Sequence, residues 1–335
     1  MQARGTGTAG RKLEKDIEIM VKISVVIPCY NQGETLLEAL ESVTVQTFRD
    51  HEAIVVDDGS TNPATGEILR SLKAPETRVI HTVNQGLAAA RNNGIEAARG
   101  SYILPLDADD RIAPTYLERA AAVLDARPDV GIVYCKAETF GEVQGAWKIP
   151  EYSLEQMLLD NIIFCSAMFR KEDWQQVGGF DGAMTHGWED YDFWLSLIGK
   201  GAEVYQIPEV LFFYRVASDS MVRSKTRAQK IEMFARIFRK HRVLYGDNIE
   251  VWIQKILETG QRDHEIATLK ENISGFKAHI AALKQYIHDH ELHIERIEEE
   301  LNHLKNSREW KLAWKLARFF WKTFRWLPGK YADRQ

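Results

Sequence analysis

An α/β fold with a mostly parallel central sheet is predicted for this chain of 335 residues. Three observations predict it. β-Rich and helical runs alternate regularly from Val21, the β-rich runs end in polar or acidic residues, and 45% of the residues are apolar, enough for a packed core. "KISVVIP" reads as the first strand and "GETLLEALESVTVQ" as its helix. "EAIVVDDGS" is a second strand ending in acids, followed by the helical "PATGEILRSLK". "RVIHTVN" is a third strand before the helix "GLAAARNNGIEAAR", and "SYILPLD" is a fourth. In open α/β sheets ligands sit beyond the carboxyl ends of the strands, which is where Asn31, Asp57, Asp58, Asn84, Asp107 and Asp109 fall. Past Gly131 the pattern loosens, with "GIVYCKAE" as a strand and "SLEQMLLDN" as a helix. An aromatic-rich stretch then completes a globular domain over residues 21–245.

The C-terminal part follows different periodicities. Residues 246–265 read as a helical linker. From Ile266 to Leu304 apolar residues fall on alternating three- and four-residue steps, interrupted only at His290, which is a sustained heptad seam. It predicts an α-helical coiled coil over 266–306, a rod of roughly 60 Å at the helical rise. Isoleucine at most of one core position and leucine at several of the other favour a homodimer over a trimer, with Phe276 and His290 leaving the trimer open. Residues 307–328 predict a terminal amphipathic helix. Arg308, Lys311, Lys315, Arg318, Lys322 and Arg325 share one sector, and Trp310, Trp314, Phe319, Phe320, Trp321, Phe324 and Leu327 lie on the remainder. A basic stripe against a Trp/Phe face suits an anionic membrane surface, with docking on protein as the rival, and Pro328 ends the helix. Residues 1–20 are expected to be a disordered extension and 329–335 a short tail.

A net charge of −5 gives no reason to expect nucleic acid as a partner. Cys29, Cys135 and Cys165 are odd in number and lack C-x-x-C spacing, which argues for a reducing compartment and against a disulfide framework or zinc site. The first twenty residues carry no stretch apolar enough for a signal peptide, and no later run reaches the roughly 18 apolar residues of a spanning helix. The expected location is cytoplasmic, peripherally attached to the cytoplasmic face of the inner (plasma) membrane.

The fourth strand runs straight into Asp107, Asp109 and Asp110. Carboxylates this close repel one another and are costly to desolvate unless a cation or donor compensates them. On an extended segment Asp107 and Asp109 would point to one side, an arrangement suited to one hard cation. Taken alone, the triplet reads more readily as a helix cap, with Asp109 or Asp110 capping the helix after Pro114. Two more acid clusters accompany it, Asp57 with Asp58, and Glu189, Asp190 and Asp192 in "GWEDYDFW". Three clusters at plausible site positions shift the balance toward function.

"VVIPCYNQGETLLEALESVTVQT", "AIVVDDGST", "NQGLAAARNNGIEAARGSYILPLDADD" and "VGGFDGAMTHGWEDYDFWLSLIGKG" resemble, in order and spacing, successive motifs of the family 2 glycosyltransferases, over about Val21 to Arg215. The resemblance implies a GT-A-type fold. It also implies an inverting glycosyltransferase that moves a sugar from a nucleotide diphosphate donor (UDP, dTDP or GDP) to an acceptor hydroxyl on a glycan or glycolipid. By the same resemblance, Asp57 reads the nucleobase edge, and Pro28, Tyr30 and Asn31 pack against base and ribose. Gly86 and Arg91 flank the nucleotide. Asp107, Ala108 and Asp109 form the D-x-D motif, with Asp109 and Asp107 holding Mg2+ or Mn2+. A proton acceptor must face the attacking hydroxyl. Asp190 is nominated, with Glu189 orienting it or binding acceptor hydroxyls, and with Trp188 and His186 on the acceptor side. Trp194 is expected in the core.

One position departs from the family pattern. Members often carry a histidine shortly after the arginine matching Arg215, and here the position is Ala217, which leaves a third protein ligand to the metal in doubt. The alternative to an enzyme is a non-catalytic, membrane-tethered oligomeric scaffold with a degenerate sugar-nucleotide domain. A nicotinamide-dependent oxidoreductase is disfavoured, because no G-x-G-x-x-G follows the first strand.

Overall fold

Every residue of Ile23–Cys29 is buried, which a strand sustains only where its sheet is covered on both faces. The computed structural model describes residues 21–73, 76–217 and 225–324. In chain order it contains β1 Ile23–Cys29, α1 Gly33–Thr44, β2 His51–Asp58, α2 Pro63–Ser71, β3 Thr77–Thr82, α3 Leu87–Ala97, β4 Tyr102–Pro105, β5 Arg111–Ile112 and α4 Tyr116–Ala126. There follow β6 Val130–Gly141, β7 Gly145–Trp147, α5 Leu154–Met157, β8 Met168–Arg170, α6 Lys171–Val177, α7 Glu189–Ile198 and β9 Glu203–Val216. The remaining elements are α8 Arg227–Lys240, α9 Arg242–Asp247, α10 Ile249–Asn306 and α11 Arg308–Phe324.

The strands form one sheet in the order β3-β2-β1-β4-β8-β6-β9-β5, with β7 on β6. The parallel sheet read from the sequence is its first part, where β3, β2, β1 and β4 run parallel. β6 and β9 are also parallel, but β8 is antiparallel to both β4 and β6, and β5 and β7 join antiparallel. The sheet as a whole is therefore mixed.

The helices cover it for legible reasons. In α1 the buried Leu36, Ala39, Leu40 and Val43 recur at helical spacing. Asn62 caps α2 by accepting from the Ala64 and Thr65 amides, with Pro63 in the first turn. α3 lies so close to the sheet that a Cβ on Gly94 would stand 2.4 Å from Val26 Cγ1. α5 is only four residues long, although its sequence reads as a helix through Asn161. Tertiary bonds end it early: the Tyr191 hydroxyl donates to Met157 O, and the Asn161 side chain turns to Asp190.

The chain divides into two compact units, one ending at Ile256 and one beginning at Leu257. Trp252, beyond the expected boundary at residue 245, packs on Phe238 and Tyr245. The segment read as a linker contains no break after Ile249. In the second unit the seam side chains are exposed along the helix, from Ile266 at 46% to Leu304 at 58%. The Tyr286 ring stands 4.2 Å from that of His290. α10 ends at Asn306, and Ser307 Oγ accepts from the Trp310 amide to begin α11. On α11 Trp310, Trp314, Phe319, Phe320 and Trp321 are exposed, and the Arg318 guanidinium lies over the Trp314 ring. Among the described residues no helix is long and apolar enough to cross a membrane. The expected extension 1–20 and tail 329–335, and Arg325, Leu327 and Pro328 of the amphipathic segment, lie outside the described residues.

Candidate active site

After β4 ends at Pro105 the Leu106 amide still donates to Val26 O at 2.9 Å, and the chain then turns at Ala108 and Asp109, with the Asp110 amide donating to Asp107 O at 3.1 Å. The segment is thus a turn and not the extended strand that would align Asp107 with Asp109. Ala108 is buried, Asp107 is about a third exposed, and Asp110 points inward to accept from the Arg215 amide at 2.8 Å. Burial, then the charges of Asp107 and Asp109, push the Asp110 carboxyl well above its ordinary range. Neither Asp109 nor Asp110 caps the following helix, whose N-cap is Thr115 without a side-chain bond. Arg215 braces the turn instead. Its Nε donates to Asp109 O, its Nη2 reaches Glu38 at 2.8 Å, and its guanidinium stacks over Phe140.

The compensating cation for this turn comes from α3. Arg91 is 1% exposed. Its Nη2 donates to Asp107 Oδ1 at 2.6 Å and its Nη1 donates to Glu189 Oε1. Burial works against that charge, but Asp107, Glu189 and Asp190 hold the guanidinium protonated, well above its ordinary value. The sequence reading has Arg91 flanking the nucleotide. The structure buries it between the Asp107 turn and Glu189, bonded to both.

α7 begins directly with that pair. Trp188 before it has φ 63°, a left-handed conformation that costs a bulky residue on the order of 1–3 kcal/mol. Its ring packs edge-on against Phe234 at 5.5 Å and is partly buried, and His186 is also partly buried. Glu189 is buried. Asp190 accepts from the Tyr191 amide through Oδ1 and from Asn161 Nδ2 through Oδ2. Burial, then Glu189, outweigh the opposing Arg91 charge and push the Asp190 carboxyl up to about 7. Asp192, grouped with these acids by the sequence reading, belongs elsewhere. It is fully buried, pairs with Lys240 at 2.5 Å and His241 at 2.9 Å, and so fastens α7 to the start of α9 and the end of α8. Trp194 is core, as expected.

The remaining candidates lie at the carboxyl ends of the other parallel strands. Asp57 Oδ1 accepts from the Ser60 amide, and Oδ2 lies 2.9 Å from His81 Nδ1. Burial opposes ionisation, but these bonds hold the carboxyl below its ordinary range. Asp58 is a loop organiser, buried and accepting from the Gln85 and Gly86 amides. Asn31 sits at φ 59° and accepts from the Thr61 and Asn62 amides at 2.8 Å each. Pro28 is buried and Tyr30 is 45% exposed. Gly86 has φ 90°, and a Cβ there would meet nothing within 4 Å, so this turn faces open space.

Four neighbours escaped the sequence reading. His81 faces Asp57 only through the β2–β3 register. Ser60 and Asn161 sit in loops, and the Cys165 thiol lies in the field of Arg91, Asp107, Asp190 and Glu189, raised chiefly by burial. Among the described residues no three His, Cys, Asp or Glu side chains are grouped to hold a metal ion. The turn supplies two carboxylates, Asp107 and Asp109, and Ala217 adds none. That set fits a magnesium-like ion held by one or two carboxylates with phosphate and water completing the shell, and does not fit an all-protein cage.

The model of glycosyl transferase family 2 matches residues 24–181. The uncharacterised protein y4gI of Sinorhizobium fredii is 33% identical over 217 residues, covering 60% of this chain and 23% of that protein. An uncharacterised glycosyltransferase of Haemophilus influenzae is 32% identical over 219 residues, covering 62% of this chain and 74% of its own length. Among solved structures, S. aureus TarS 1–349 in complex with UDP-GlcNAc superposes with a TM-score of 0.53 at 18% identity, over 70% of this chain and 79% of that one. The last likeness concerns the fold. Sequence match and architecture agree: this chain belongs to glycosyl transferase family 2 and is a glycosyltransferase of GT-A-type fold.

Proposed function

We propose that the protein transfers a sugar, with inversion, from a nucleotide diphosphate donor to an acceptor hydroxyl, and that Asp190 takes the hydroxyl proton. One observation carries this reading: buried Arg91 joins the Asp107 turn to Glu189, next to Asp190, whose carboxyl is pushed up to about 7 by burial and by Glu189. A carboxylate tuned near the working pH is suited to general base catalysis. Asp57, ionised and with acceptor capacity left on each oxygen, receives an N–H of the base. Pro28, Tyr30, Asn31 and Gly86 frame the nucleoside, and His186 and Trp188 border the acceptor. Asp107 and Asp109 would hold Mg2+ or Mn2+ together with the diphosphate. A divalent ion bound there neutralises charge on the departing nucleoside diphosphate. The acceptor oxygen forms its bond to the anomeric carbon as the bond to the diphosphate breaks, and the proton passes to Asp190.

The C-terminal segments extend the reading. The exposed seam over 266–306 pairs copies of the chain, as a dimer in preference to a trimer. The basic and aromatic face of 307–328 holds them to an anionic membrane from the cytoplasmic side, which favours a lipid-linked or cell-surface polysaccharide precursor, such as that of a lipopolysaccharide, as acceptor. Lipid vesicle binding unchanged after deletion from Leu304 onward would refute the membrane role. An unchanged sedimentation mass after Ile280→Asp and Ile287→Asp would refute the pairing. The chemistry is tested by thermal-shift screening of UDP-, dTDP- and GDP-sugars with manganese, then by hydrolysis of the stabilising donor. Hydrolysis abolished by Asp109→Ala is the expected result; a well-folded protein that neither binds nor hydrolyses any donor would instead be a scaffold.

A further inference from the structure

The loop after α5 contributes a side chain to Asp190. Asn161 Oδ1 accepts from the Ile163 amide at 3.3 Å, which fixes the orientation of its side-chain amide. Nδ2 is therefore the group turned toward Asp190 Oδ2, at 3.0 Å. The other carboxylate oxygen is held from within α7 by the Tyr191 amide at 2.8 Å. The loop itself is anchored, since Trp194 Nε1 donates to Ile163 O and the Tyr116 hydroxyl donates to Ser166 O. Asp190 is thus gripped at both oxygens by donors from two separate elements.

From this geometry we infer that Asn161 is a positioning residue for the proton acceptor, stopping rotation of the Asp190 carboxylate and favouring its ionised form. The inference rests on the reading of Asp190 as the base. Among the described residues, the charged and titratable groups acting on Asp190 include Glu189 on its own helix, Arg91 from α3, Asp107 from the β4 turn and Cys165 from the same loop as Asn161. Of these only Arg91 favours the carboxylate, so a neutral donor on Oδ2 matters to both its aim and its ionisation. A hydrogen bond to a charged group favours that state by about tenfold or more.

The test compares Asn161→Asp, Asn161→Ala and Asp190→Asn in the full chain. UDP-GlcNAc, dTDP-rhamnose and GDP-mannose are offered with manganese, and hydrolysis is followed from pH 5 to 9. Asn161→Asp is isosteric, keeps the bond from Ile163 and loses the donor. The acid limb of its rate profile should move up by more than about one pH unit, and that of Asn161→Ala by about one. In both variants the maximal rate should fall by roughly 10- to 100-fold while nucleotide affinity stays within about twofold. A limb identical to wild type in the folded variants would overturn the inference. If Asn161→Asp does not fold, Asn161→Ala decides; failure of both to fold would make Asn161 structural and overturn it too. The parent reading fails separately, by full activity of Asp190→Asn or by hydrolysis of no donor.

Discussion

Replacing Arg91 with methionine removes a cation shared by the two acid clusters while keeping the volume of its stem. Breaking a buried ion pair from one side costs about 3–5 kcal/mol, because the partner is left charged and dry. Glu189 is such a partner, being buried, whereas Asp107 is about a third exposed and water relieves much of its charge. The lower end, about 3 kcal/mol, is therefore expected, which lowers the melting temperature of a domain this size by roughly 6–12 °C. The deficit should shrink as pH falls toward 4, since an unpaired buried carboxyl escapes its penalty by protonating. In the same variant Asp190 loses the charge that favours its ionisation, so the acid limb of donor hydrolysis should move to higher pH. Calorimetric melts at pH 4 and 7, with a pH–rate profile, measure all three effects. A melting temperature within 2 °C of wild type at pH 7 would refute the account of Arg91 as the link.

Asp190→Asn should reduce turnover by roughly 10²–10⁴-fold with UDP affinity by titration calorimetry little changed. In the wild type, rate should climb through about pH 7 as Asp190 ionises and level off above it. Its effect on stability has the opposite sign: with the folded pKa raised, its contribution is complete below the unfolded value and is lost as pH rises through about 7. Asp192→Ala should lower stability by about 2 kcal/mol without acting on donor chemistry, because Asp192 faces Lys240 and His241. Its carboxyl is held below the ordinary range, so the stability it provides is present above the unfolded value and lost as pH falls through the folded one, in chemical denaturation between pH 2 and 7. Manganese titrated alone should bind weakly to a two-carboxylate turn and much more tightly with UDP present; tight binding without nucleotide would contradict that.

Much of this was legible because strands and motifs are local in sequence. β1 to β4 and the helices between them follow from runs of residues whose burial the chain announces. The site was legible at the level of residue type and not of partnership. Asp190 and Asp192 look equivalent in "WEDYDFW", yet two residues on a helix lie about 200° apart, which sends one to Asn161 and the other to Lys240 and His241. Asp107 and Asp109 read as neighbours on a strand, but β4 ends at Pro105 and a turn closed by the Asp110 amide on Asp107 O carries them instead. His81 meets Asp57 through strand register, and Asn161 meets Asp190 through a loop whose sequence resembles a helix end. Such pairings are long-range, and a single sequence does not encode them in any local pattern.

The most direct test of the central claim is a crystal structure of the chain with UDP and manganese. The account predicts anomalous manganese density at the Asp107–Asp109 turn, with the diphosphate between that turn and Asp190 and with Arg91 still joining Asp107 to Glu189. Nucleotide bound elsewhere, or manganese on other residues with the Asp107 turn unoccupied, would contradict it.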